Sequence, residues 1–382
     1  MYRQISHLIV PQKSFIYMAN KSLDIAPIAS WFPSTHPFRL ISGPCSAETR
    51  EQVLEDARRL AKERRVGLLR AGIWKPRTRP NSFEGVGAAG LSWLQEAREE
   101  TQLPFTVEVA RAEHVEAALK AGTDVLWIGA RTTVNPFSVQ EIADALQGVS
   151  IPVMVKNPIN PDVQLWLGAF ERLQKSGITQ MAAIHRGFST VDAAPYRNAP
   201  RWDLAIQLRT LVPDLPVFCD PSHITGKRDF LLEVAQKAIH FAFDGLMIEA
   251  HPTPDLAWSD AAQQITPEAL TELLDALDLR FLQPQNRETA HQLVLMRQVI
   301  DSIDEELMRL LSRRMKTIQE IGDYKKAHHV TIFQPERWQE ILETRIEWAK
   351  SLQLDERFVR KILMEIHRQG LQIQADQLEK PL

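Results

Sequence analysis

Cysteine is almost missing: Cys45 and Cys219 are the only two among 382 residues. Two thiols cannot staple a secreted disulfide scaffold, so a reducing, cytoplasmic setting is expected. Positive charge is not in excess either. A formal net charge of -3 removes the electrostatic basis for general nucleic-acid binding. No apolar run approaches the length of a membrane span, which leaves no expected role at a bilayer. Residues 1–21, MYRQISHLIVPQKSFIYMANK, lack the long apolar centre of a secretory signal. They read as the start of an irregular arm over 1–37, with Met18 as an alternative start. No G-x-G-x-x-G turn follows any strand-like run, which argues against a dinucleotide-binding sheet.

What is present is an ordinary soluble composition, 44% apolar and 24% charged, on a chain long enough for two domains. Short apolar runs recur at FRLIS (38–42), GLLRAG (67–72), FTVEV (105–109), VLWIG (125–129), PVMVK (152–156), MAAIHR (181–186), VFCD (217–220) and GLMIEA (245–250). Nearly continuous apolar runs bounded by Gly, Pro or Asn are the mark of buried parallel strands. Amphipathic stretches such as REQVLEDARRLAKE and AEHVEAALKAG separate them. This alternation over 38–281 predicts a (β/α)8 barrel, with an open doubly wound sheet as the runner-up. The last barrel helix is expected to start with Thr266 as cap and Pro267 in its first turn. A polar, Pro-containing connection at 282–288 then leads into an all-helical domain, 289–382.

In such a barrel, chemistry gathers at the C-terminal ends of the strands. Those ends carry Cys45, then Arg70, Lys75 and Arg77, then Glu108, Arg131, Lys156, Arg186, Asp220 with His223, and Glu249 with His251. Asp260 follows shortly after the last. A single rim cation is usually just solvated. Six from several strand ends, in a slightly acidic chain, suit a ligand bearing several anionic groups such as phosphates and a carboxylate. Cys45, His223, Glu249 and Asp260 supply one sulfur, one nitrogen and two carboxylate donors. That mixture suits a divalent transition metal such as Mn, Fe, Co or Zn. A buried free cysteine is more often a small hydrophobe, and Cys219, inside its run, reads that way.

The ordered motifs GPCS, RAGIWKPRT, IGART, MVKNP, HRG, DPSH and MIEAHP resemble the type Iβ 3-deoxy-D-arabino-heptulosonate 7-phosphate (DAHP) synthases over residues 23 to about 280. The resemblance implies condensation of phosphoenolpyruvate with erythrose 4-phosphate, the first step of the shikimate pathway, with a divalent metal. It implies Cys45, His223, Glu249 and Asp260 as metal ligands. Arg70, Lys75, Arg131, Lys156 and Arg186 would hold phosphoenolpyruvate, with Asp220 beside them, and Arg77 and Thr78 the aldose phosphate. Lys75, between both substrates, is the candidate proton donor. Arg79-Pro80 replaces a commoner Ser-Pro, with little expected consequence. The sister enzyme acting on arabinose 5-phosphate carries an Asn in a K-A-N-R-type segment, where this chain has Lys75-Pro76-Arg77-Thr78.

In the stretch LVLMRQVIDSIDEELMRLLSRRMKTIQEIGDYKK, apolar residues step Leu293, Met296, Ile300, Ile303, Leu307 and Leu310. That is the stripe of one long amphipathic helix of about 40 residues, roughly 60 Å at 1.5 Å per residue. Two shorter helices follow, at about 336–350 and 355–375 by the same periodicity. They cannot cover such a stripe alone, so pairing with a second subunit is expected. Arg314 and Lys325 interrupt the stripe. A cation there usually snorkels to water. The third helix shifts the balance, because its row Phe358, Ile362, Ile366 runs on into Gly370 and Gln374. Two cations, a gap and an amide describe a small polar cavity for an anion.

Over about 287–376 the pattern is similar to the type II, all-helical chorismate mutases. The resemblance implies that Arg297, Arg314, Lys325, Arg337 and Gln374 bind chorismate, with Arg297 reaching into a partner's site, and that the product is prephenate. Lys325 and Gln374 would stabilise charge growing on the ether oxygen. Trp338 stands where that family usually has an acidic residue for the substrate hydroxyl, and Gly370 where Ser is common. The expectation is therefore a bifunctional homodimer, inhibited by prephenate. The alternative keeps the synthase but makes the helical domain a weakly catalytic sensor of prephenate or chorismate and a dimerisation element.

Overall fold

Valine, isoleucine and leucine crowd the eight apolar runs, and each run becomes a strand with both faces covered. The computed structural model describes residues 23–34, 36, 38–76, 83–191, 193–279 and 287–379. The strands are β1 (Arg39–Gly43), β2 (Val66–Ala71), β3 (Phe105–Val109), β4 (Val125–Ile128), β5 (Val153–Lys156), β6 (Met181–His185), β7 (Val217–Cys219) and β8 (Gly245–Glu249). All pair in parallel and in sequence order, and β8 pairs β1 to close the barrel. The open-sheet runner-up is thereby excluded.

Helices α1 (Arg50–Leu60), α2 (Ala89–Thr101), α3 (Ala112–Lys120), α4 (Ala130–Thr133), α5 (Pro136–Ala145), α6 (Val163–Lys175), α7 (Trp202–Leu211), α8 (Pro221–Thr225), α9 (Leu231–His240) and α10 (Pro267–Asp275) surround the barrel. Several begin on a side chain that satisfies an otherwise orphaned amide. Thr49 accepts from the Gln52 amide, Asp162 from Leu165, and Thr266 from Ala269. The α10 cap and the Pro267 start are as the sequence predicts. Replacing Thr266 by Ala should cost about 1 kcal/mol, readable as a lower urea midpoint with an unchanged slope.

The barrel interior follows the two-residue period of its strands. Ile41, Leu68, Val125, Trp127, Met154, Ala182, Ile184, Phe218 and Met247 pack together inside it as a cluster separate from the core beneath the helices. Phe32 joins this cluster and stacks on Phe218 at 5.5 Å between ring centroids. The close of the expected arm is therefore barrel core. Gly67 makes room for it, since a Cβ there would lie 2.8 Å from the Phe32 ring. Two residues beyond Leu68, Met154, Ile184, Phe218 and Met247 stand Arg70, Lys156, Arg186, Asp220 and Glu249, all buried, and Glu108 follows the buried Thr106 in the same way. A charged tier thus sits directly on an apolar one.

The chain divides into two compact units, residues 1–282 and 283–382. The second contains α11 (Arg287–Ala327), α12 (Pro335–Ser351) and α13 (Glu356–Glu379). Both α11 and α12 pack on α13, and Gly322, Ile346, Ala349, Gly370 and Gln374 are buried between them. Most of the α11 stripe is not covered within one chain. Met296, Ile300, Ile303, Leu307 and Leu310 are all exposed, Met296 by 63%. The helix thus has an apolar seam that its own short partners leave open. No helix among the described residues is long and apolar enough to cross a membrane.

Candidate functional site

The charged tier gathers around Trp127. Its indole Nε1–H donates to Glu108 Oε2 at 3.2 Å. The Arg70 guanidinium lies 5.1 Å above its ring and the Lys156 ammonium 5.9 Å. An aromatic floor of this kind stabilises cations that have been taken out of water. Gly129 keeps the Glu108 carboxylate in place, because a Cβ there would sit 1.9 Å from Oε1.

The cations differ in what they already hold. Lys156 Nζ donates to Asp220 Oδ2 at 2.8 Å, and both groups are buried. Arg70 Nη1 lies 3.2 Å from Glu249 Oε1, and its Nη2 donates to the Cys45 carbonyl at 3.3 Å. Arg186 is different. It is 8% exposed, and among the described residues no carboxylate lies within ion-pair distance of its guanidinium. Burial pulls it down to about 10, with Arg197 and Arg131 adding repulsion against the pull of Asp220. Arg131 sits on the single-turn α4 and is exposed. A buried guanidinium crowded by other cations is a receptor for an anion. Asn157 orients this corner, its amide oxygen accepting from the Arg186 backbone N–H at 2.7 Å.

Cys45 and Lys75 meet where β1 and β2 end. Lys75 Nζ donates to Cys45 Sγ at 2.7 Å and to the Cys45 carbonyl at 2.8 Å. Cys45 Sγ also lies 3.2 Å from Asp260 Oδ2. Burial, with Glu249 and Asp260 nearby, pushes the thiol up to about 12, while Lys75 and Arg70 oppose this. Asp260 takes a left-handed backbone conformation, φ 50° and ψ 35°, a region where Asp is among the better-tolerated side chains. Its carboxylate accepts from Arg197 Nη1 at 2.9 Å. Burial alone would raise Asp260, but His223, Arg197 and Lys75 outweigh it and hold the acid well below its usual range.

His223 is held from both sides. Its Nδ1 lies 2.8 Å from Asp220 Oδ2, and its Nε2 lies 3.7 Å from Glu249 Oε1. Burial lowers the imidazole despite the two carboxylates. Asp220 is fully committed, since its other oxygen caps α8 by accepting from the His223 amide at 3.0 Å. Both oxygens serve Lys156 and His223, so Asp220 shapes the site rather than presenting a free acceptor. Glu249 Oε2 accepts from Gln263 Nε2 at 2.7 Å, whereas Oε1 has no hydrogen-bond donor.

Cys45, His223, Glu249 and Asp260 come together from β1, α8, β8 and the loop after it, as two close pairs. Among the described residues, no three Cys, His, Asp or Glu side chains are close enough to hold a metal ion at once. The donor set nevertheless suits a borderline divalent cation. Glu249 Oε1 is buried without a hydrogen-bond donor, with the Arg70 guanidinium 3.2 Å away, and the Lys75 ammonium lies against Cys45 Sγ. Arg77 and Thr78 lie outside the described residues. The sequence reading missed Trp127, Arg197 and Gln263. Only Trp127 carried a signal, because it shares strand parity with the rim residues.

In the helical unit Lys325 is half-buried, and its ammonium donates to the Ile332 carbonyl at 2.6 Å. Arg314 is exposed, and burial together with Arg345 lowers it from its ordinary value. Gln374 is buried; its Nε2 donates to the Gly370 carbonyl at 3.3 Å, while Oε1 has no partner. Arg337 is exposed and ion-paired with Glu340 at 2.6 Å, and Arg297 is exposed on α11. Trp338 lies flat against His367, with ring centroids 3.9 Å apart and planes 9° apart.

The sequence profile of the DAHP synthetase I family matches residues 34–280, and that of chorismate mutase type II matches residues 296–375. Phospho-2-dehydro-3-deoxyheptonate aldolase of Thermotoga maritima is 34% identical over 241 residues, covering 63% of this chain and 69% of that protein. A 2-dehydro-3-deoxyphosphooctonate aldolase of Bordetella bronchiseptica is 27% identical, covering 63% and 90%. The crystal structure of the Thermotoga maritima DAHP synthase superimposes with a TM-score of 0.57 at 30% identity, covering 63% of this chain and 68% of that one. The chain belongs to the DAHP synthetase I family and carries a chorismate mutase type II domain after its barrel.

Proposed function

We propose that the barrel condenses phosphoenolpyruvate with erythrose 4-phosphate, releasing DAHP and phosphate. The buried Arg186, crowded by cations and paired with no carboxylate among the described residues, carries this reading. It marks a place for an anion that the fold itself does not supply. Arg186, Lys156, Arg70 and Arg131 would receive the phosphate and carboxylate of phosphoenolpyruvate above Trp127. Arg77 and Thr78 would take the second phosphate. Holding two mutually repelling anions side by side is a large part of the catalysis. Lys75 Nζ, already donating at the site, would pass a proton to the aldehyde oxygen as the new carbon–carbon bond forms. Water then adds at the former enol carbon, and phosphate leaves with C–O cleavage.

Cys45, His223, Glu249 and Asp260 would hold a divalent metal, Mn, Fe, Co or Zn. When bound, such an ion polarises the aldehyde carbonyl. Treating the chain with a chelator should abolish phosphate release from phosphoenolpyruvate plus erythrose 4-phosphate, and adding back one of these ions should restore it. Phosphate release that persists after exhaustive chelation would refute the metal role. Faster release with arabinose 5-phosphate would instead favour the sister enzyme's substrate, a choice kept open by the Bordetella bronchiseptica relative.

For the helical unit we infer rearrangement of chorismate to prephenate, a reaction needing neither acid nor nucleophile. Arg314, Arg337 and Arg297 would fix the two carboxylates, while Lys325 and Gln374 would stabilise charge on the ether oxygen. The open apolar seam on α11 supports a second copy of the chain as its cover. In that dimer, the partner would bring its own arginine corresponding to Arg297. The alternative reading makes this unit a weakly catalytic sensor of prephenate or chorismate and a dimerisation element, through which prephenate would inhibit the barrel.

A further inference from the structure

Chorismate presents two carboxylates, an ether oxygen and a ring hydroxyl. Guanidinium and ammonium groups suit the first two kinds. A hydroxyl is a donor, so it needs a side chain with a free acceptor atom, and Trp338 offers none. Among the described residues of the helical unit, two buried side-chain acceptors have no hydrogen-bond partner, Gln374 Oε1 and Nε2 of His367 on α13. The Trp338 indole lies against one face of the His367 ring at 3.9 Å, and Phe333 is 5.9 Å away. A buried ring nitrogen without a partner normally costs free energy, so its persistence points to a ligand. The charges of Arg314 and Lys325 act on the same imidazole and, with burial, lower its affinity for a proton. A neutral imidazole can accept from a hydroxyl, whereas an imidazolium cannot.

The geometry points to His367 as a further substrate-binding residue of the helical unit, with Nε2 engaging the hydroxyl of chorismate and Trp338 holding the ring in place. This rests on the mutase reading above and deepens it. Trp338 then has a positioning role, through the imidazole rather than on the substrate.

The test compares full-length wild type with His367→Phe and His367→Asn on chorismate and on 4-deoxychorismate, which lacks the hydroxyl. Phe keeps a flat ring for Trp338 but has no acceptor, and Asn restores a neutral polar group. Loss of one neutral hydrogen bond should raise KM for chorismate roughly three- to tenfold in His367→Phe. The KM for 4-deoxychorismate should stay within about twofold of the wild-type value on the same energy scale. His367→Asn should recover part of the loss. Equal effects on both substrates, or none on either, overturn the inference while leaving the mutase reading intact. A wild-type chain that neither binds nor converts chorismate overturns both.

Discussion

Replacing Lys156 by Met is expected to lower DAHP formation by roughly 10²- to 10³-fold and to destabilise the barrel. The catalytic loss follows from removing a buried cation above Trp127 that would face the anionic substrate. The structural loss follows from Asp220, which is fully buried and is held low by His223 and Lys156 against the upward push of burial. Taking away one partner of a buried pair costs about 3–5 kcal/mol, because the remaining charge is stranded. Phosphate release in a coupled assay reads the first effect, and a denaturant melt reads the second. A Lys156→Met chain that kept wild-type activity would remove Lys156 from the site. A destabilised variant can be separated from an inactive one by assaying well below its melting midpoint. Double replacement, Lys156→Met with Asp220→Asn, should recover stability without recovering activity.

The second large effect belongs to the helical unit. Arg314→Ala should reduce chorismate turnover by roughly 10²- to 10³-fold, the scale of losing one charged donor at a developing negative charge. Arg314 is exposed on α11 and carries no buried ion pair, so the fold should tolerate the change with less than about 0.5 kcal/mol of lost stability. Helical content from circular dichroism and chorismate consumption, measured on the same sample, separate the two effects. Undiminished turnover would leave the cation on the α11 stripe as a snorkelling side chain. Turnover absent even in wild type, with prephenate still inhibiting the barrel, would select the sensor role.

The two halves were unequally legible in the sequence. Buried parallel strands are written as short continuous apolar runs, so β1 to β8 all fall within one residue of a run read from the sequence. Strand parity then places Arg70, Lys156, Arg186 and Glu249 on one tier, because each stands two residues beyond an inward apolar side chain. Parity says nothing about contacts made from loops. The Arg197 link to Asp260 and the Gln263 link to Glu249 depend on how connections fold back over the mouth, and neither has a local pattern. The Phe32 insertion was hidden for a related reason, since the Trp31-Phe32 pair in an irregular, Pro-containing arm has no period that says which surface buries it. For α11 the stripe was plain, but what covers it was not. A helical period reports an apolar face, not the identity of the surface that buries it.

Phe32 has a consequence for the order of events. It packs against Phe218 at the end of the barrel opposite the charged tier. At the other end Lys156 and Arg186 are buried, while Arg131 is exposed. On the proposed reading, whatever binds the deep cations must enter first and is roofed over by the second substrate. Steady-state kinetics should therefore show a compulsory sequence, with phosphoenolpyruvate leading and erythrose 4-phosphate following.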